Sequence, residues 1–542
     1  MFLVDITLLN MKKYLASIAS LFVSSAQALR ADDEITQLPG WNFEKLPSRM
    51  FAGYIPAGNS SENGQEYQMF EHYVFHESER DPANDPLIIW TNGGPGAASY
   101  LGLLVELGPL WVTGDSLKTE DYKKTGIPTL IYNEHAWTKA ANILIINSPP
   151  PVGFSYCTPA GPSGDANSCG TWNDSKTAYH NSLYLENWMA EFPEYASHDI
   201  YIIGESYAGI YVPTLVREIL NNATSVIKGN LKGMAIGDGC VGTDVLCGLP
   251  DGSTGPGPYY MLKFFGGHGQ FSDKLFEDIM DKCPRDQLIG YNGVQVTDEN
   301  CKAMIQKAET QMGGYFEYSL YDDCWYQNDV EPPTFLNQSK GYWGPPKYPG
   351  VENIDKALLK SLQGGLNDYP CGGYPAGFKW LNLPIVKEAL NVDKDAAFFS
   401  GDNGDGFTYN MTEKNLLPFY NELVTNSSLR VLVYNGDTDP CLDSLSGQNW
   451  TTALGFKETQ EWRPWTIDGK QYMGGYVTRY ENDFDYLTIR GSGHMVPEFK
   501  PKVTLEFLEK WLKGEDWLPY VKPSSSATEV PRNSDLSDQL IQ

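Results

Sequence analysis

Six short aliphatic runs, each stopping at a glycine-rich or polar turn, constrain this chain more than any other feature. They are residues 86–90 (PLIIW), 142–146 (NILII), 199–203 (DIYII), 233–236 (GMAI), 430–434 (RVLVY) and 485–489 (DYLTI). A strand with one wet face alternates apolar and polar residues. These runs are apolar almost throughout, so both of their faces must be covered. Several are followed by helical patterns, which predicts an α/β fold with a mostly parallel central sheet flanked by helices. The turns that end the runs include residues 92–96 (NGGPG), 204–206 (GES), 237–239 (GDG), 435–440 (NGDTDP) and 491–497 (GSGHMVP). Sheets of this kind place their sites beyond the carboxyl ends of the strands, so chemistry is expected in those turns.

The 542 residues exceed an ordinary domain of ~150 but suit one large α/β unit with an insertion. From about 241 to 378 the strand-like runs give way to turn-rich sequence holding Cys247, Cys283, Cys301, Cys324 and Cys371. This stretch reads as a disulfide-rich insertion, a cap over the sheet, within a main domain spanning 29–520. Ahead of it, Lys12 and Lys13 precede an apolar stretch over 14–23 and the small-residue site Ala26-Gln27-Ala28. That is the pattern of a cleaved export signal over 1–28, with an apolar core too short to span a bilayer. Residues 521–542 have little apolar content and are expected to be a disordered tail.

An exported chain meets an oxidising compartment. The nine cysteines, which also include Cys157, Cys169, Cys240 and Cys441, form no paired C-x-x-C elements. Disulfides are therefore expected in place of zinc, and the odd count leaves at least one thiol free or paired between chains. Sequons at Asn59, Asn173, Asn222, Asn337, Asn410, Asn426 and Asn449 are glycosylation candidates. Acidic residues outnumber basic ones 68 to 40, a net charge of −28. A field of that sign repels phosphate backbones and anionic lipid, so neither nucleic acid nor a membrane anchor is expected.

The run 199–203 leads through Gly204-Glu205-Ser206-Tyr207-Ala208-Gly209 into a helical pattern over 210–220. A sharp strand-to-helix turn with small residues around a serine is the setting of a nucleophile elbow, here with Ala208 in the last small slot of G-x-S-x-G. A serine hydroxyl needs a base. Of the seven histidines only His494 lies late in the chain, as the Ser…Asp/Glu…His order of α/β hydrolases requires. His72 and His76 read as structural. The acid falls in the turn after 430–434, where Asp437 and Asp439 compete.

Four motifs together resemble those of the serine carboxypeptidases, the α/β-hydrolase family of the yeast vacuolar and plant enzymes and lysosomal cathepsin A. They are G-E-S-Y-A-G at 204–209, G-D-x-D at 436–439, G-x-G-H-M-V-P at 491–497, and W-x-N-G-G-P-G at 90–96 with Glu106 before Gly108-Pro109. The resemblance covers roughly residues 40–520 and implies the α/β-hydrolase fold. It implies a triad of Ser206, Asp439 and His494, with the second aspartate chosen as the acid. The family's oxyanion donors map to the backbone N–H groups of Gly94 and Tyr207. Its groups for a substrate's C-terminal carboxylate map to Asn92, Gly93, Glu106 and Glu205. Three carboxyl groups cannot all be ionised cheaply at one place, so the implied activity is acidic release of single residues from peptide C-termini. No metal or cofactor is implied. The implied location is secreted, vacuolar or lysosomal, and the oligomeric state stays open, a homodimer included.

Departures from the family pattern mark this chain. Ala97-Ala98-Ser99 replaces Cys-Ser-Ser, removing one family disulfide; Gly237-Asp238-Gly239 replaces Gly-Asn-Gly; and Pro150-Pro151 opens the segment usually written A-G-V-G-F-S-Y. Cys441 lies two residues beyond Asp439, where some relatives have a free cysteine three beyond their acid. Rival readings are an acyltransferase of the same fold and a non-catalytic stabilising glycoprotein.

Overall fold

The computed structural model describes residues 30–243, 257–290, 294–322, 371–402, 404 and 406–522. The export signal, Asn337, Cys247, Cys324 and the tail beyond 522 lie outside these residues.

The described chain is organised by a twelve-stranded sheet. Its strands in chain order are β1 (Glu34–Ile35), β2 (Met50–Glu62), β3 (Gln65–His76), β4 (Leu87–Thr91), β5 (Asn142–Ile146) and β6 (Tyr156–Thr158). Then come β7 (Ile200–Glu205), β8 (Leu231–Gly237), β9 (Arg430–Gly436), β10 (Glu458–Thr466), β11 (Met473–Tyr480) and β12 (Phe484–Ile489). The order across the sheet is β1-β2-β3-β5-β4-β7-β8-β9-β12-β11-β10, with β6 against β3. The six runs read from the sequence are β5, β4, β7, β8, β9 and β12, and they form one uninterrupted parallel block. Antiparallel strands close it on both sides.

The alternation of side chains along these strands builds two cores. Leu87, Ile89, Leu144, Ile146, Val431 and Val433 face one, with Tyr184 and Trp188 of helix α1 (Asp174–Glu191) and Ile210 and Leu215 of α2 (Ala208–Asn221). Ile88, Trp90, Ile143, Ile145, Leu432 and Tyr434 face the other. Burying one such aliphatic side chain contributes about 1.5–3 kcal/mol, so a polar residue in any of these runs would disrupt a layer.

The long β2–β3 hairpin was not read from the sequence, although its signal was there. Asn63 and Gly64 close it with φ of 51° and 82°, the double left-handed conformation that Asn-Gly adopts readily.

Within the expected insertion, helices α3 (Pro258–Gly267), α4 (Asp273–Lys282) and α5 (Glu299–Met312) gather around their own small core of Leu262, Phe265, Ile279, Leu288 and Ile305. Cys283–Cys301 ties the end of α4 to the start of α5. Cys157–Cys169 forms a second bridge, Cys240 and Cys371 are also disulfide-bonded, and Cys441 keeps its thiol. Helices α6 (Gly373–Leu381), α7 (Ser444–Ala453) and α8 (Pro501–Lys513) follow along the chain. Among the described residues no helix is long and apolar enough to cross a membrane.

Candidate active site

Strand β7 delivers Ser206 into a turn whose backbone is held from three directions. Its N–H donates to Gly237 O at 2.9 Å, and its carbonyl accepts from Gly209 N–H at 2.9 Å and Cys240 N–H at 3.0 Å. These bonds hold a non-glycine residue at φ 64°, a conformation that costs on the order of 1–3 kcal/mol and persists only where the surroundings over-determine it. Tyr207 opens α2, whose first amide groups have no intrahelical acceptor. The Tyr207 hydroxyl is anchored on buried Asp174 at 2.7 Å.

The turn after β4 packs directly on this elbow. A Cβ on Gly93 would lie 2.3 Å from the Tyr207 nitrogen and 2.9 Å from Ser206 Cβ, so only glycine fits. Gly94 takes φ 106°, again a glycine conformation.

The turns after β9 and β12 bring Asp439 and His494 together, both buried, with Asp439 Oδ2 2.7 Å from His494 Nδ1. Asp439 also accepts the N–H groups of Cys441 at 2.8 Å and Leu442 at 3.2 Å. Asp437 turns elsewhere, accepting Gly491 N–H at 2.6 Å. The structure thus separates the two aspartates that the sequence left in competition. His494 Nε2 is buried and has no hydrogen-bond partner among the described residues.

Asn92 links two buried carboxyl groups. Its amide donates to Glu106 Oε1 at 3.1 Å and Glu205 Oε1 at 2.7 Å, while its own oxygen is fixed by Trp90 Nε1–H at 2.9 Å. Glu106 ends a five-residue π-helix, Gly102–Glu106. The remaining oxygens, Glu106 Oε2 and Glu205 Oε2, face no donor among the described residues. A proton held between the two acids is the arrangement that satisfies both. Burial pushes Glu106 up to about 7. Burial, and then the charge of Glu106, push Glu205 well above the ordinary carboxylate range.

Four residues that sequence reasoning gave no role border this site. Asp238, at the end of β8, was noted only as a departure from a motif. Glu498, buried in the short helix Val496–Phe499 after His494, is pushed up by burial and by Glu106. Tyr318 lies against His494, and Glu317 beside it is pushed up to about 7 by burial and Asp402. The last two come from a turn without a recognisable motif. The six sequons within the described residues divide into exposed Asn59, Asn410, Asn426 and Asn449 and half-buried Asn173 and Asn222. Asn173 caps α1 through Lys176 N–H.

Asp238, Asp439 and His494 each bring a possible ligand atom within 4.8 Å of the others, a metal-like grouping. The 2.7 Å bond between Asp439 and His494 already uses the atoms a cation would need, so hydrogen bonding accounts for the cluster.

A parallel sheet with a serine on a strained strand-to-helix turn, and a histidine–aspartate pair beyond two further strands, defines an α/β-hydrolase. The serine carboxypeptidase family model matches residues 39–514. A serine carboxypeptidase of Caenorhabditis elegans, ctsa-4.1, is 31% identical over 93% of this chain and 98% of its own length. The mouse lysosomal protective protein is 30% identical over 92% of this chain and 97% of its own. Among solved structures, the prohormone-processing carboxypeptidase Kex1Δp of Saccharomyces cerevisiae shares the fold with a TM-score of 0.60 at 20% identity, covering 89% of this chain and 96% of its own. The chain belongs to the serine carboxypeptidase family, and it is a hydrolase of that class.

Proposed function

We propose that Ser206, His494 and Asp439 form the catalytic triad of a carboxypeptidase that removes single residues from peptide C-termini at acidic pH. Ser206 Oγ attacks the last peptide carbonyl while His494 Nε2 takes its proton and Asp439 holds the ring by Nδ1. The N–H groups of Gly94 and Tyr207 receive the oxyanion. His494 returns the proton to the departing amino group, and water then releases the acyl chain from Ser206 by the same steps reversed.

The observation that carries the exopeptidase reading is Asn92 bridging Glu106 and Glu205, with Gly93 packed on Ser206. Protonated acids beside an amide donor suit a terminal carboxylate, a charged acceptor with two oxygens, better than the single neutral carbonyl of an internal peptide bond. The kept set of Asn92, Glu106 and Glu205 favours hydrolysis of free-acid peptides over acyl transfer. The partner is a peptide or protein C-terminus. We assign the chain to the secretory pathway, with signal 1–28, domain 29–520 and insertion 241–378, on the sequence patterns and the exposed sequons. The test is digestion of a peptide as free acid and as C-terminal amide, with the parent and Ser206→Ala. Stepwise loss of C-terminal residues from the acid by the parent alone supports the reading; cleavage within the chain, or equal rates on acid and amide at pH 5, would overturn it.

A further inference from the structure

The elbow strand β7 and the acid strand β9 are separated by β8, and the residue that follows β8 carries a carboxyl group. Asp238 takes φ 41° directly after β8, with its N–H donated to Tyr434 O at 2.8 Å. Its side chain is fully buried and points at the base of the acid turn. There Oδ1 accepts Gly436 N–H at 2.9 Å and the Asn435 amide at 3.3 Å. Asp439 is equally buried, and an oxygen of each carboxyl lies with a His494 ring nitrogen inside a 4.8 Å cluster. Among the described ion pairs, none joins Asp238 or Asp439 to a lysine or arginine.

Two buried carboxylates at this separation repel, and neither has a cation to offset the charge. One proton must be shared, and the donors decide where it sits. Asp439 receives three, from Cys441, Leu442 and His494. Asp238 receives one backbone N–H, shared between its two oxygens, and one long amide bond. The anion therefore belongs on Asp439. We propose that Asp238 is a positioning residue that keeps its proton and donates it to Asp439, so that the pair carries one negative charge and Asp439 stays turned towards His494.

The titratable groups around the pair do not oppose this. Tyr434 on β9 and Tyr486 on β12 face Asp238 and are kept neutral by burial. Asp443 at the start of α7 and Glu317 face Asp439, and both are raised to about 7, chiefly by burial. Cys441 lies two residues along the same turn. Burial and the charge of Asp439 push Asp238 itself well above the ordinary range. Asparagine at this position would offer the same donor without a proton to lose.

The proposal rests on the triad reading and is tested apart from it. In Asp238→Asn the donor remains, so kcat at pH 5 should stay within about 3-fold of the parent, and the acidic limb of kcat, which reads His494, should not move. If Asp238 were an anion, its removal would lower that limb by about one pH unit or more, and the proposal would fail. In Asp238→Ala the donor is lost, and kcat should fall about 10-fold or more with KM little changed. Full kcat in a folded Ala variant would also overturn it. An infrared difference between the parent and Asp238→Asn near pH 6 should show the loss of a protonated carboxyl band; loss of a carboxylate band in its place would refute the assignment. That reading needs no catalysis. A wrong triad would instead show as turnover surviving in Ser206→Ala.

Discussion

Tyr318 lies over His494: their rings are 4.8 Å apart and tilted by 48°, and the Tyr318 carbonyl accepts the His494 N–H at 2.8 Å. Two residues on, Leu320 N–H bonds Thr438 O at 2.9 Å. The turn that follows α5 is therefore clamped to both catalytic turns of the sheet. Replacing Tyr318 with Ala keeps the backbone bond and removes the ring. We expect a fall in kcat of roughly 10-fold, with the histidine less well held, and a lowered Tm, because the buried ring packs on Met495 and Phe499 and its hydroxyl bonds Asp402. Steady-state kinetics and a melting curve on the same preparation check both.

Ser206→Ala should lower kcat on the order of 10⁶-fold with the protein still folded. Ser206→Gly should do the same and raise Tm, because glycine relieves the cost of φ 64°. Unchanged turnover in a clean preparation of either would remove the nucleophile assignment.

Asp439→Asn should cost about 10⁴-fold in kcat, since the amide favours the wrong imidazole tautomer. Asp437→Asn should cost far less, because Asp437 bonds Gly491 and not His494. A reversed order would overturn the acid assignment.

Glu106 is raised to about 7 and Glu205 higher still, so both acids hold protons at acid pH and the first of the two is lost as pH rises through about 7. KM for a free-acid peptide should climb across that window, while KM for the matching amide stays nearly level. Glu106→Gln with Glu205→Gln should flatten the free-acid profile. Parallel acid and amide profiles in the parent would show that the pair does not read the terminus.

Glu71 offers a stability test away from the site. It is fully buried on β3 and burial raises it to about 8. An acid whose folded pKa exceeds its unfolded value of 4.5 binds more protons when folded. Stability is then lost as pH rises from about 4.5 to 8. The loss between pH 5 and 8 from this group is on the order of 3–4 kcal/mol. Buried His72 and His76, lowered to about 4 and 3, act oppositely and weaken the protein below their ordinary value of 6.5. Glu71→Gln should shrink the drop in denaturation free energy between pH 5 and 8; an unchanged slope would show that Glu71 does not hold its proton.

The parallel block was legible because strands buried on both faces leave unbroken apolar runs such as 86–90 and 142–146. The β2–β3 hairpin was not, since its long strands mix polar and apolar residues and only Asn63-Gly64 signals the turn. Within the site, Ser206, His494, Asn92 and the glutamates announce themselves through motifs whose glycines and prolines serve backbone geometry. The selection of Asp439 over Asp437 needed either the family resemblance or the coordinates, because both sit in one turn, two residues apart. Tyr318 and Glu317 reach the site by tertiary packing alone, for which the chain carries no local pattern.

The strand order also dictates when the enzyme can first act. Ser206 belongs to the middle of the sheet, whereas Asp439 and His494 arrive with β9 and the turn after β12. At about 5–20 residues per second, synthesis completes the base roughly 15–60 s after the nucleophile. During that interval the nascent chain can carry a folded elbow, but it has nothing to deprotonate the serine. Protein-destroying activity is thus withheld from the cell that makes it until the whole sheet has been translated.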